Sequence, residues 1–157
     1  MLEELHSALE RIYGTNFVAY QRAHTAHMNT RGRTFYQDHK LLKKIYEYLQ
    51  ANVDVLGEKI QACGLGAVPV SIGRTLDHSA IQDLPLAGTS DELLEAILED
   101  LYALIEVYHQ VDRAGQAVNY PDVSNMAADH IGTIAAFCWR LEATLELPGR
   151  HHERTTY

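Results

Sequence analysis

The segment GLGAVPVSIGRTLDHSAIQDLPLAGT, residues 64–89, decides the fold of this chain. It is rich in glycine and proline and has room for one short helix, around RTLDHSAI. Helices that pack as antiparallel neighbours are normally joined by two to eight residues, so about 26 residues predict a connection that crosses the molecule. A helix over residues 34–62 would be about 42 Å long, and the segment is long enough to span it.

Apolar residues recur at helical spacing on both sides of this segment. The clearest run is Leu94, Ile97, Leu98, Leu101, Leu104, Ile105 and Tyr108. We predict four long helices, at about residues 2–28, 34–62, 91–118 and 122–146. Gly64 ends the second helix, Ser90 and the two acids after it start the third, and Pro121 and Pro148 bracket the fourth.

Four long helices with two short turns and one long crossover predict an all-α, ferritin-like four-helix bundle whose crossover contains a short helix. We expect one domain over residues 1–157, with a short polar C-terminal tail from about residue 148 to residue 157. The length of 157 residues and the 46% of apolar residues suit a single domain with a substantial core.

Charge and composition exclude several classes of protein. The formal net charge of −8 disfavours a general nucleic-acid binder, whose affinity comes mainly from cations that neutralise phosphates, and suits a protein that attracts metal cations. Two isolated cysteines predict neither a disulfide framework nor a thiolate zinc site. Acids near Met1 and the absence of a long apolar run predict a cytoplasmic protein with no membrane segment.

Two pairs of metal-ligating residues stand out. Asp54 and Glu58 are four residues apart on the second predicted helix, so both carboxylates project from one face. His27 closes the first helix and His39 opens the second, so the short turn between them can bring the two imidazoles together. The alternative for Asp54 and Glu58 is a solvated acidic stripe.

The two pairs lie too far apart to form one site within a chain. His39 and Asp54 are fifteen residues apart on one helix, which is roughly 22 Å, whereas metal bonds are about 2 Å long. If this helix packs antiparallel against its own copy across a two-fold axis, the histidine end of one meets the carboxylate end of the other at two equivalent sites. In a monomer the four residues would be unrelated.

The spaced motifs resemble those of one family. They are AHMNTRGRTF at residues 26–35, His39 twelve residues after His27, DVLGE at residues 54–58, CG at the end of the second helix, and FCWRLEATL in the fourth. Over most of its length the chain resembles the Dps proteins, mini-ferritins that oxidise Fe(II) and store it in a hollow shell of twelve subunits.

The resemblance implies a function for the candidate residues. His27 and His39 of one subunit, with Asp54 and Glu58 of a two-fold partner, would form a ferroxidase centre that oxidises Fe(II) with H2O2 or O2 and protects the cell against oxidative stress. The alternative is a DNA-compacting or structural shell of the same kind, with weak or lost ferroxidase activity and zinc in its sites.

The chain departs from the family pattern in three respects. Lys43 stands where the family usually has an aspartate, four residues after the second histidine. It would place a cation at the expected second iron position unless its flexible stem swings the ammonium into solvent. Met28 replaces a tryptophan beside the first histidine. The basic tail with which many relatives bind DNA has no counterpart before the first helix, so we expect weak or absent DNA binding.

His78, in the short crossover helix, is the candidate to replace the missing aspartate; the alternative is an ordinary surface histidine. A centre with three imidazoles and two carboxylates can hold Zn(II) more tightly than Fe(II), so zinc is the expected competitor. A rival intrachain di-iron site, built from Glu3 with His6 and Glu106 with His109, is disfavoured because the two pairs lie at different heights of the bundle.

Overall fold

The structure, a computed structural model, describes residues 1–149 as five α-helices and the segments that join them. The helices are α1 Leu2–Asn29, α2 Phe35–Ala62, α3 Ile72–His78, α4 Ser90–Ala117 and α5 Pro121–Thr144. These residues contain no strand, which confirms the predicted all-α class. Of the predicted polar tail, residues 150–157 lie outside the described part. Within the described range, no helix is both long enough and apolar enough to cross a membrane.

Local capping explains the small shifts from the predicted boundaries. α4 begins at Ser90 because Thr89 is its N-cap and forms a capping box. The Thr89 hydroxyl accepts the Glu92 N–H at 3.2 Å, and the Glu92 carboxylate accepts the Thr89 N–H at 2.7 Å. The short crossover helix α3 starts earlier than predicted because the Ser71 side chain caps it.

The crossover spans the bundle, as its length predicted, and it runs along α1. Near its middle, the Ala80 N–H donates to the Thr15 hydroxyl at 2.9 Å. At its far end, the Arg31 N–H donates to the Ser90 hydroxyl at 2.9 Å, and that hydroxyl donates to the Arg31 carbonyl at 2.8 Å. The connection therefore extends from the end of α2 to the turn between α1 and α2.

Leucine and isoleucine side chains from the four long helices fill the core. Those with no exposed surface include Leu5, Leu9, Ile12, Leu42, Ile45, Leu56, Ile60, Leu94, Leu101, Leu104, Ile134 and Leu141. Burying one such side chain contributes about 1.5–3 kcal/mol. On α2 the buried positions fix the rotation of the helix, and this rotation leaves His39 half-buried and Asp54 and Glu58 exposed.

A buried ion pair ties the crossover to the bundle. The Arg22 guanidinium donates from Nε to Asp100 Oδ2 at 2.6 Å and from Nη1 to the Leu84 carbonyl at 2.7 Å. α1, α4 and the crossover therefore meet at one side chain. Burial raises the pKa of Asp100 to about 6, although the Arg22 guanidinium acts in the opposite direction.

We expect Gly14→Ala to destabilise the fold by about 2 kcal/mol, because the new Cβ would clash with the Thr75 carbonyl oxygen of α3. The matched control is Gly132→Ala in α5, where nothing lies within 4 Å of the added Cβ. This control should be neutral or more stable by up to about 1 kcal/mol, since alanine favours the helix. Urea unfolding measures both, and equal stabilities would contradict close packing of α3 on α1.

We expect Arg22→Leu to cost about 3 kcal/mol at pH 7, because it leaves the Asp100 carboxylate buried without its partner. The pKa of Asp100 is raised on folding, so the stability that it contributes is present below about pH 4 and is lost as the pH rises through about 6. Without the guanidinium this pKa rises further, so the cost of the substitution should be about 1 kcal/mol smaller at pH 5 than at pH 7.

Urea unfolding at the two pH values measures this difference. The control is Arg74→Leu, which removes an exposed guanidinium 4.0 Å from Asp77 and should change stability by less than about 0.5 kcal/mol at either pH. The same cost of Arg22→Leu at pH 5 and pH 7 would show that Asp100 is not the source of the penalty.

Candidate metal centre

His27 and His39 are held together by a reciprocal pair of hydrogen bonds. His27 Nδ1 lies 2.8 Å from the His39 carbonyl oxygen, and His39 Nδ1 lies 2.9 Å from the His27 carbonyl oxygen. The two rings stack with centroids 3.7 Å apart and planes inclined by 19°. The turn between α1 and α2 thus fixes the two imidazoles relative to each other. We call them the histidine half-site.

This arrangement determines the tautomer of both rings. A carbonyl oxygen only accepts hydrogen bonds, so each Nδ1 carries the proton and each Nε2 is left with a free lone pair. Burial lowers the pKa of His27, which keeps this ring neutral and able to ligate a metal. Backbone carbonyls that orient imidazoles in this way are the usual support for metal-ligating histidines.

Aromatic rings surround the histidine half-site. The Tyr46 ring meets His27 edge-on with centroids 5.0 Å apart, and Phe35 stacks on His39 at 4.9 Å. The carboxylate nearest in sequence to His39, that of Asp38, is buried and accepts a hydrogen bond from the Thr34 hydroxyl at 2.7 Å. Asp38 therefore fixes the start of α2, and the acidic ligands for a metal must come from elsewhere.

Asp54 and Glu58, which we call the carboxylate half-site, line a surface groove between α1 and α2. Its walls include Tyr13, Phe17 and Tyr20, and both carboxylates are exposed to solvent. Fifteen residues of α2 separate His39 from Asp54, or about 22 Å along the helix. Among residues 1–149 of the single chain, no group of three or more His, Cys, Asp or Glu side chains is placed to hold a metal ion.

The ferritin family model, described as the ferritin-like domain, matches residues 6–149. The chain belongs to the ferritin family. It is similar to the DNA protection during starvation protein of Helicobacter pylori, with 22% identity over 138 residues that cover 87% of this chain and 95% of that protein.

Solved Dps structures share the fold of this ferritin-like chain. The Dps structure from Thermosynechococcus elongatus has a TM-score of 0.87 at 17% identity and covers 98% of this chain and 96% of its own. The Dps structure from Listeria monocytogenes has a TM-score of 0.86 at 20% identity, with coverages of 91% and 94%. These matches confirm both the predicted bundle with its crossover and the resemblance to the Dps family.

Lys43 of the ferritin-like chain lies beside the histidine half-site but turns along α2. Its ammonium is 3.7 Å from the Glu47 carboxylate one helical turn further on, and both side chains are about half exposed, at 53% each. The positive charge of Lys43 also lowers the pKa of His27, behind the larger effect of burial. The Lys43 ammonium therefore turns toward Glu47 and solvent, while its charge still acts on the His27 imidazole.

His78 lies against α1 in the ferritin-like chain. Its Nε2 is 3.8 Å from Glu10 Oε1, and His6 Nε2 is 3.6 Å from the same oxygen. Glu10, which the sequence did not single out, is thus the group that His78 faces within one chain. Of the five predicted ligands, the structure pairs His27 with His39 and Asp54 with Glu58, and it places His78 apart on the other side of α1.

The rival intrachain di-iron site does not form among the described residues. His6 turns toward Glu10, as described above, and the Glu106 carboxylate lies 3.9 Å from the Arg113 guanidinium with a side chain 67% exposed.

The backbone carbonyls of His27 and His39, which fix the two imidazole tautomers, were not predicted from the sequence. No sequence signal indicates them, because they depend on how α1 and α2 pack.

Proposed function

We propose that this ferritin-like chain is a Dps-type mini-ferritin that oxidises Fe(II) at a centre shared between two subunits and stores the ferric product inside a shell. One observation carries the proposal: two imidazoles locked with both Nε2 atoms free, at the opposite end of α2 from two exposed carboxylates. Neither half-site is sufficient as a metal site, and each has the donors that the other lacks.

The two half-sites would divide the work of binding Fe(II), which is the substrate. His27 and His39 donate neutral nitrogen lone pairs, and the fixed rings need no rearrangement when iron arrives. Asp54 and Glu58 supply negative charge, which favours the ferric product over the ferrous substrate and so favours oxidation. The net charge of −8 draws cations toward the protein. The electron from each Fe(II) passes to H2O2 or O2.

A two-fold dimer would complete the centre. Antiparallel pairing of α2 with its copy brings the histidine half-site of one subunit to the carboxylate half-site of the other and produces two equivalent centres. The groove beside Asp54, with its tyrosine and phenylalanine walls, is the surface that such a partner would cover. A shell of twelve subunits extends the proposal by likeness to the Dps proteins.

The altered ligand set bears on which metal binds and how many. Lys43 disfavours a second iron, and His78 would have to leave Glu10 to take part as a fifth ligand. Zn(II) competes well at a site rich in imidazole and has no redox chemistry, so it would act as an inhibitor of the oxidation.

Subunit complementation tests whether the centre is shared. One variant carries His27→Ala with His39→Ala, and the other carries Asp54→Asn with Glu58→Gln. Each alone should lack Fe(II) oxidation. Coexpressed and randomly paired, they should recover about a quarter of the wild-type centres, because half of the dimers are mixed and each mixed dimer has one intact centre of its two.

Fe(III) formation, followed by absorbance after addition of H2O2 or O2, measures this recovery. Coexpressed chains with no more activity than either variant alone would contradict the shared centre. Substantial activity in either single variant would contradict the assignment of its residues. Calorimetric binding of Zn(II) to the same samples separates loss of metal binding from loss of oxidation.

Lys43→Asp should raise the number of metal ions bound per centre, because it removes a cation and adds an oxygen ligand one turn from His39. We expect Zn(II) binding to rise toward two ions per centre and the initial rate of Fe(II) oxidation to increase. The control is Lys44→Asp, which makes the same charge change at an exposed neighbouring position. Equal effects of the two substitutions would show that net charge, rather than a new ligand, is responsible.

A further inference from the structure

Three side chains that can ligate a metal converge where α3 packs on α1, and none of them belongs to either half-site. Two imidazole nitrogens approach one carboxylate oxygen, Glu10 Oε1: His6 Nε2 at 3.6 Å and His78 Nε2 at 3.8 Å. His6 and Glu10 are four residues apart on α1, so both project from one face of the helix. His78 is the last residue of α3. We call these three side chains the crossover cluster.

Gly14 determines how closely His78 approaches Glu10. It lies one turn beyond Glu10 on α1, and a Cβ added to it would be 3.1 Å from His78 Cβ. A glycine at this position lets the end of α3 come close to α1. Just beyond α3, the Ala80 N–H donates to the Thr15 hydroxyl at 2.9 Å and holds the chain there. The backbone therefore fixes the positions from which the three side chains extend.

The contacts with Glu10 are too long for hydrogen bonds, which are about 2.7–3.2 Å long between nitrogen and oxygen. The His6 Nε2 atom is nevertheless buried, and among residues 1–149 it has no hydrogen-bond partner. A buried nitrogen without a partner is destabilising, so native proteins almost always supply one. A cation between the imidazoles and the carboxylate would be such a partner.

The separations within the crossover cluster are close to those around a zinc ion. Zinc bonds to nitrogen and oxygen are about 2.0 Å long, and a tetrahedral site places its ligand atoms about 3.3 Å apart. The two separations from Glu10 Oε1 exceed this value by about 0.3 and 0.5 Å. As they stand, the three side chains are thus spaced more widely than ligands around a bound ion.

Small rotations of the side chains can close these gaps. His6, Glu10 and His78 are 30%, 21% and 33% exposed, so close packing does not lock their torsion angles. Among residues 1–149, no lysine or arginine forms an ion pair with Glu10. The carboxylate is therefore free to turn toward an ion.

We propose that the crossover cluster binds Zn(II) and that the ion fastens α3 to α1. Two histidines and one glutamate are an established ligand set for zinc, with water in the fourth position. Imidazole ligands also favour Zn(II) over Fe(II). The inference does not rest on the proposed function, because it uses no residue of the half-sites. It assigns His78 to a site within one chain and not to the shared centre.

Zinc would strengthen a weakly held part of the crossover. α3 has only seven residues, and its end is held by the packing at Gly14 and the hydrogen bond from Ala80. An ion bound by two residues of α1 and the last residue of α3 would join the elements directly. Because the ligands come together only in the folded chain, zinc should raise the Tm and slow hydrogen exchange in α3.

Calorimetric titration with Zn(II) tests the proposal in a background that lacks the other candidate ligands. In this background alanine replaces His27, His39, Asp54, Glu58, His151 and His152. We expect one Zn(II) to bind per chain. Adding His6→Gln, Glu10→Gln or His78→Gln should weaken this binding about a hundredfold, because each substitution removes a direct ligand.

Two matched controls make the same substitutions outside the crossover cluster. Glu4→Gln changes an exposed glutamate on α1, and His109→Gln changes a half-buried histidine on α4. Both should bind Zn(II) as the background does. Zinc affinity that is the same in the background and in the three ligand variants would overturn the site. Affinity lost only in Glu10→Gln would also overturn it, since a lone carboxylate would then be the ligand.

Co(II) reports the coordination directly. Four-coordinate Co(II) absorbs visible light far more strongly than the hydrated ion, so the background should become strongly coloured and the three ligand variants should not. A spectrum of hydrated Co(II) in the background would show that the histidines only pair electrostatically with Glu10, and would refute the proposal. Circular dichroism in the presence of EDTA verifies that each variant folds.

Hydrogen exchange followed by mass spectrometry tests whether the ion fastens α3. In the background, Zn(II) should raise the Tm by several degrees and slow exchange over Ile72–His78. His6→Gln should abolish both effects, and their persistence in this variant would contradict the proposal. In the otherwise unchanged chain, His6→Gln should leave the rate of Fe(II) oxidation unaltered, so the zinc site and the proposed ferroxidase centre are tested separately.

Discussion

A metal bond of about 2 Å, set against a helix that rises 1.5 Å per residue, is the constraint on which the candidate centre depends. α2 is a single rigid element of 28 residues, and it carries His39 near one end and the carboxylate half-site in its second half. No bending of such a helix within one bundle closes a gap of about 22 Å. The two half-sites therefore belong together only through a second copy of the chain, so catalysis and assembly would be one property of this protein.

Rigidity at the histidine half-site comes from the same packing that forms the fold. α1 and α2 meet at their turn, each imidazole lies against the backbone carbonyl of the other, and the Asp38 carboxylate accepts a hydrogen bond from the Thr34 hydroxyl. On the opposite side of α1, the crossover is held by Thr15, Arg22 and close contact at Gly14. The segment that defines the topology and the turn that presents the imidazoles are thus both fixed on α1.

The sequence by itself determined the helices, because apolar spacing, Pro121 and the caps near Ser90 act locally. The length of the connection over residues 64–89 determined the topology, because adjacent antiparallel helices are joined by much shorter segments. The sequence also indicated the chemistry of His27, His39, Asp54 and Glu58 through their spacing along two helices. Only the tertiary structure decided the tautomers of the imidazoles and the approach of His6 and His78 to one carboxylate oxygen of Glu10. These features depend on the rotation and register of helices that pack against one another. Side chains that are distant in the sequence set that rotation and register together.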